Sequence, residues 1–507
     1  MRNGDPRTDP MAALDAAWEA QRCAKAKDFF TLDDYEPGAP GNWYSRSQAG
    51  SDGRTLSNFI DVCAPYDVAK LLLDRNFTIE TKRTLHRYRG GFYHWNGSAY
   101  PEIAEDALRS HLYSFLSQCE TLDRRGHRRR VKPHAAMVAN VLDALRAASH
   151  LDENIAAPIW LDQVLDFPAA EIIACSNGLL HLPTRTLLRH SPNFFTHNAV
   201  DFAFDREASE PRQWLAFLDQ VWGNDPESIC TLQEAFGLCL TSETRFQKSF
   251  LLVGPTRSGK GTIARILTAL VGRRNVVSPT LASLGDRFGL APLIGKLLAI
   301  ISDARIGHKA DQHAIAESVL RITGEDDVSC DRKNRDPWNG RLRVRFVVIS
   351  NELPRLTDAS GALVSRFIIL RLVNSFYGRE DQGLTEMLLT ELPGILNWAV
   401  IGWHRLAERG HFVQPQSALD DVQHFEDLAS PIGAFLRDRC VVAADRMVGI
   451  NRLFEAWSEW RKAEGHEHVG IKTNFGKDLK AVLPWLKVSQ PRDGEDRLRV
   501  YRGIGLK

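Results

Sequence analysis

The sequence predicts an α/β protein built on a parallel sheet that carries a phosphate-binding loop, with a mostly helical domain before it and a winged helix after it. Three observations carry this. Residues 250–253 are a short continuous apolar run, the pattern of a strand buried on both faces, and they pass through a glycine-bounded loop into a helical pattern. Two later runs, 296–303 and 345–351, repeat the apolar strand pattern, and each ends on a polar side chain. From residue 432 onward the chain reads helix, helix, helix, hairpin, the order of a winged helix.

Composition sets the outer limits. The chain has 507 residues, room for several domains. Its net charge of +1 means that any nucleic-acid signal has to be local. Eight cysteines are scattered with no Cys-x2-Cys pair, which argues against structural zinc and a disulfide framework and fits a reducing cytosol. No apolar run approaches the roughly 18 residues of a membrane helix, and the acidic start lacks a signal peptide's apolar core. The expectation is a soluble cytoplasmic protein with no membrane partner.

Taken in order, residues 1–57 read as a flexible lead-in, an amphipathic piece at 11–27 followed by a Pro/Gly/Ser-rich stretch. Residues 58–240 read as mostly helical, interrupted by a β-hairpin at 85–97 around Gly90-Gly91 and by two short strands within 172–188. The run 124–132 carries six Lys/Arg and reads either as a solvated loop or as a contact to DNA phosphate. Residues 241–378 form the P-loop domain and 379–430 a helical extension. Ser430-Pro431 marks a boundary before the domain at 431–507, with helices at 433–439, 450–464 and 473–483 and strands at 486–489 and 498–502.

The loop is Gly254-Pro255-Thr256-Arg257-Ser258-Gly259-Lys260-Gly261-Thr262, with the Gly-x4-Gly-Lys spacing of a phosphate-binding loop. Its glycines let backbone N–H groups approach phosphate oxygens, the following helix adds the positive end of its dipole, and Lys260 reaches the β- and γ-phosphates. A nucleoside triphosphate is the expected ligand. The hydroxyl for magnesium comes one place late, at Thr262, because Gly261 follows the lysine. Asp303 ends an apolar strand, the placement of an acid that holds magnesium and its water. Asn351 ends another, where an amide can hold the attacking water or sense the γ-phosphate. Between them, 324–340 is a polar, basic segment between two apparent strands whose tip presents Arg332, Lys333 and Arg335. Arg366 stands just before the run 367–370, where a guanidinium could bridge to a neighbouring subunit's γ-phosphate. Trp338 and Phe288 read as core or loop packing, and His308 and His313 are rejected as metal ligands.

Together these segments resemble the superfamily 3 helicases, specifically the phage and plasmid primase-helicase group related to poxvirus replication proteins. The match rests on 254–262, Asp303, 324–333, Ser350-Asn-Glu-Leu-Pro354 and Arg366, with 93–97 and 176–181 resembling the domain that precedes the ATPase. The resemblance implies a modified AAA+ core that assembles into a ring, usually a hexamer, and uses ATP and Mg2+. It implies that Lys260 and the loop amides hold phosphate, that Thr262 and Asp303 handle magnesium, that Asn351 is the sensor and Arg366 the finger acting across subunits, and that Lys333 grips single-stranded DNA. Many relatives carry a glutamate or paired acids where Ser302-Asp303-Ala304 offers one aspartate, and Glu352 is a second candidate for the general base. No Asp-x-Asp pattern marks a primase-polymerase domain, so a helicase working with a separate primase is expected, in the cytoplasm of a bacterial host.

Two other functions fit parts of the sequence. The Gly-Lys-Gly-Thr loop also resembles that of adenylate-kinase-type phosphotransferases. An initiator that uses ATP only to assemble on a replication origin would account for the tail, where 472–502 carries eight Lys/Arg against four acids. There, Lys477 and Lys480 fall on one face of the third helix, while Arg492, Arg497 and Arg499 flank the wing, spaced to track duplex phosphates. A solvated basic surface or a subunit-docking module is the other reading of that tail.

Overall fold

A computed structural model describes residues 59–507 apart from 124, 163–166, 306, 308–309, 357, 359–360, 465–469, 491, 494–495 and 498; at 492–493 and 496–497 it describes backbone only. The lead-in at 1–57 and His308 lie outside the described residues.

The first unit has a small core of its own. Helices α1 (Pro65–Asn76), α2 (Glu105–Ser117) and α3 (Ala135–Ala148) bury Leu72, Leu112 and Leu142 against one another and against Phe92. The hairpin expected at 85–97 is present as β1 (Leu85–Tyr88) and β2 (Gly91–His94), with β3 (Glu102–Ile103) added at its edge. The basic run is part turn and part strand: β4 (Glu120–Leu122) pairs with β5 (Arg128–Arg130), whose three arginines are all exposed.

Residues 172–188 make three strands where two were expected, β6 (Ile172–Cys175), β7 (Gly178–His181) and β8 (Thr186–Leu188), antiparallel in the order β8-β7-β6. Helices α4 (Arg212–Trp222) and α5 (Pro226–Cys239) follow. Here the boundary drawn at 240 does not hold. Ile173, Trp214 and Phe236 share one core with Phe250 and Ile263, so this segment packs as part of the unit that carries the parallel sheet.

That unit is a mixed α/β body around a five-stranded parallel sheet. Its strands are β9 (Ser249–Val253), β10 (Val276–Val277), β11 (Leu298–Ile301), β14 (Arg345–Ser350) and β15 (Phe367–Arg371), in the order β10-β11-β14-β9-β15. The apolar runs are continuous because both faces are covered. Phe250 and Leu252 meet α4, α5, α6 (Lys260–Val271) and α8 (Leu392–Arg409), whereas Leu251 and Val253 meet α7 (Gln312–Thr323) and α9 (Leu419–Ala429). Between α7 and β14 stands an antiparallel hairpin, β12 (Val328–Arg332) and β13 (Arg335–Gly340).

The tail folds on a separate core. Ser430 caps α10 (Pro431–Arg439), which runs straight into the ten-residue strand β16 (Cys440–Gly449), an element absent from the sequence reading. Only Cys440 and Val448 of β16 are buried, so it carries no alternating apolar signal. Helices α11 (Ile450–Ala463) and α12 (Lys472–Val482), then β17 (Lys487–Ser489) and β18 (Val500–Leu506), complete a three-stranded sheet in the order β16-β18-β17. The final strand begins two residues later than expected and leaves Arg499 just outside it. Among the described residues no helix is long and apolar enough to cross a membrane.

Candidate nucleotide-binding site

The loop between β9 and α6 is set by close approach on both sides. A Cβ on Gly254 would stand 2.2 Å from the Leu372 carbonyl oxygen, and Gly259, at φ +95°, lies against the Phe217 ring. Segment 372–380 buttresses the loop from outside. Ser375 Oγ donates to the Thr256 carbonyl at 2.8 Å, Phe376 N–H donates to the Arg257 carbonyl at 2.8 Å, and Arg257 pairs with Glu380 at 3.4 Å.

Inside the loop, donors outnumber acceptors. Among the described residues nothing accepts from the backbone N–H groups of Thr256, Arg257, Ser258, Gly259, Lys260 or Gly261. Six successive free donors at a helix N-terminus form an anion cradle. Lys260 is 7% exposed and folds back on its own loop, donating from Nζ to the carbonyls of Gly254 and Pro255 at 2.7 Å each and to Ser258 Oγ at 3.1 Å. Burial holds its ammonium below the usual lysine range. A phosphate would give that charge a partner of opposite sign in place of neutral carbonyls.

Three predicted residues follow neighbouring strands at one end of the sheet. Lys260, Asp303 and Asn351 all follow the C-terminal ends of parallel strands, β9, β11 and β14, and β14 lies between the other two. Asn351 therefore follows the strand that lies between those leading to the loop and to the acid. Two partners had no signal in the sequence. Arg305 forks onto Asp303, with Nε at 2.9 Å and Nη2 at 2.7 Å from Oδ2, and those hydrogen bonds hold the carboxyl below its ordinary range. Arg265 Nη2 donates to Thr262 Oγ1 at 3.1 Å. Thr262 and Asp303 are the oxygen donors that magnesium would find here, and both are now taken up by arginines. A Cβ on Gly261 would meet only the Arg265 guanidinium, so packing does not demand the glycine.

Arg366 is not part of this cluster. Ser249 N–H donates to the Arg366 carbonyl at 2.7 Å, which puts Arg366 where β9 begins, at the opposite end of that strand from the loop. Its Nη1 hydrogen-bonds the Gln247 side chain, and its Nε has no partner among the described residues.

The β12–β13 hairpin turns through Lys333-Asn334, with Arg332 opposite Arg335 and Asn334 at φ +58°. Lys333 is exposed at the tip. The two arginines are engaged rather than presented: Arg335 pairs with Glu102 of the first unit at 2.7 Å, and Arg332 Nε donates to the Asp336 carbonyl at 3.0 Å. Trp338 is buried, as expected, but Phe288 is 47% exposed beside the Arg287 guanidinium. In the tail, Lys477, Lys480 and Arg499 are exposed, while the side chains of Arg492 and Arg497 lie outside the described residues.

Residues 69–223 match the family model described as D5 N terminal like, and residues 252–366 match a family of unknown function, DUF5906. Among solved structures the chain is similar to the A-form apo C-terminal region of NrS-1, at 11% identity, TM-score 0.50, covering 87% of this chain and 99% of that one. Another A-form apo structure of that region gives 11% identity and TM-score 0.48, over 87% and 100% of the two chains. The first of these likenesses shows the fold alone.

Proposed function

We propose that this protein is an ATP-dependent DNA helicase of a phage, plasmid or integrated element, a superfamily 3 motor with an AAA+ core working as a ring, usually a hexamer. The observation that carries the reading is the strand order. With β14 between β9 and β11, Asn351 follows the strand that lies between those leading to the phosphate loop and to the acid, a position that supports a role in holding an attacking water. The match of 69–223 to the D5 N-terminal-like family supports the replication context.

In this reading the six loop amides and Lys260 Nζ bind the β- and γ-phosphates, the lysine exchanging its carbonyl partners for phosphate oxygens. Thr262 and Asp303 would hold magnesium, which would supply charge neutralisation at the phosphates. Arg305 and Arg265 hydrogen-bond those two side chains and would compete with the metal for them. Asn351 orients water toward the γ-phosphate, and Arg366 of one subunit completes the site of the next. Lys333 at the hairpin tip follows single-stranded DNA. The tail, helix–strand–helix–helix–strand–strand, is a winged helix that holds duplex DNA through α12.

The test is hydrolysis and unwinding together. Lys260→Ala abolishes both, and single-stranded DNA stimulates ATP hydrolysis by the natural protein. Unwinding at the natural rate by Lys260→Ala would refute the motor. An origin-binding initiator is the second reading, favoured by the exposed Lys477 and Lys480, and it shows sequence-specific duplex binding with little strand separation.

A further inference from the structure

At the other end of the sheet from the phosphate loop lies a cavity of about 1270 Å3, walled on one side by the first unit and on the other by the base of the β12–β13 hairpin and the beginnings of β11 and β14. That volume exceeds the range of an ordinary small-molecule site, which runs to roughly 1,000 Å3. Its lining combines rings and cations. The Arg89 guanidinium lies 5.2 Å from the Tyr88 ring and 5.4 Å from the Trp338 ring, and Gly340, at φ +150°, leaves room for it. Arg343 stands half-buried in the same wall. Its side chain has no hydrogen bond or ion pair with another described residue, and burial presses its charge toward the neutral form.

The charge balance of the wall follows from what is already paired. Glu102 is taken by Arg335 and Asp327 by Arg341, leaving Arg89, Arg274, Lys296 and Arg343 against Glu153 and Asp201. Arg343 has only the charge of Glu325, with which it makes no direct contact, to offset its burial, and an arginine so placed is costly unless an anion visits it. A flat guanidinium stacked on aromatic rings accepts a base on sequence-tolerant terms. Phosphate beside planar base, repeated over a space too large for one small molecule, is the chemistry of a single-stranded nucleic acid.

We propose that this cavity is a single-strand cleft formed within one subunit, in which Arg343 takes a backbone phosphate and the Arg89–Trp338 stack receives a base. The first unit is then half of the strand grip and not only a scaffold. The inference rests on the helicase reading and places the strand where that reading did not: at the hairpin base and against residues 88–102, in addition to the tip at Lys333.

The experiment uses the full chain and a fluorescein-labelled oligothymidylate. Arg343→Ala weakens binding about tenfold, the scale of one lost phosphate or stacking contact; Arg343→Lys recovers most of it; and binding of a fluorescent ATP analogue is unchanged, because that site is at the far end of the strands. A thiothymidine-containing strand, irradiated with the natural protein, cross-links to peptides spanning 88–93 and 338–343. Natural-strength binding by a folded Arg343→Ala, or cross-links confined to Lys333 and the tail, overturns the cleft while leaving the motor intact. If Arg343→Ala does not fold, the cross-link map decides. If the natural protein binds no oligothymidylate yet hydrolyses ATP, the helicase reading falls and takes the cleft with it.

Discussion

Arg366 and Lys260 stand at opposite ends of one strand pair. The Arg366 carbonyl accepts from Ser249 where β9 begins, and Lys260 follows the loop where β9 ends. Five strand residues at about 3.3 Å each separate them by about 16 Å, beyond the reach of a guanidinium toward its own γ-phosphate. Arg366→Ala is therefore expected to spare ATP binding and lower turnover by about 10³, the scale of a lost finger. Mixed with Lys260→Ala in one assembly, it regains hydrolysis at interfaces that join an intact loop to an intact finger. A mixture as inactive as either parent, with co-assembly demonstrated by mass, removes the trans assignment.

In the proposed reading, Arg305, which forks onto Asp303, competes with magnesium for it. Arg305→Ala is expected to lower the half-saturating Mg2+ concentration for hydrolysis a few-fold, the modest scale of an exposed ion pair. Asp303→Asn, by contrast, abolishes turnover at any Mg2+ concentration. A magnesium titration of the three proteins checks this, and an unchanged midpoint in Arg305→Ala disproves the competition.

The first unit, together with His197 packed against its Tyr93 ring at 4.7 Å, is expected to lose stability in acid. Burial holds the imidazoles of His86, His94 and His197 down to about 4, against an ordinary value of 6.5. The folded form thus stays neutral while the unfolded chain takes up protons, so stability is full above pH 6.5 and declines as pH falls from 6.5 to about 4. Each histidine contributes at most about 3 kcal/mol across that window. Thermal unfolding between pH 7 and pH 4 measures it, and His86→Phe is expected to flatten the slope.

Deleting residues 431–507 removes a unit with its own core. Duplex affinity and its salt dependence are expected to fall, with DNA-independent hydrolysis largely kept. Hydrolysis lost together with the assembled particle identifies the tail as a docking module instead, which sedimentation distinguishes from a DNA-binding defect.

The sheet and its loop were legible in the sequence because burial on both faces leaves no polar interruption: 250–253, 298–301 and 345–350 are all strands. The polar residues that end those strands were legible for the same reason, as Asp303 and Asn351 each break an apolar run. Strands with one wet face were harder. Cys440–Gly449 buries two side chains and Arg128–Arg130 none, so neither announces itself. Partnership was the least visible property. Nothing in the order of residues says that Glu102 holds Arg335, that Gln247 holds Arg366, or that Trp214 and Phe236 share a core with Phe250.

The strands β11 and β14 each begin at the cavity wall, after Lys296 and Arg343, and end beside Asp303 and Asn351. The two proposed ligands would thus bear on the same two strands, packed into a core that resists bending. Any influence of the lower occupant on the upper is a single coupling free energy, and it runs equally in the other direction. If an oligonucleotide tightens ATP by some factor, ATP must tighten the oligonucleotide by that same factor, a symmetry that two binding titrations can verify without any turnover.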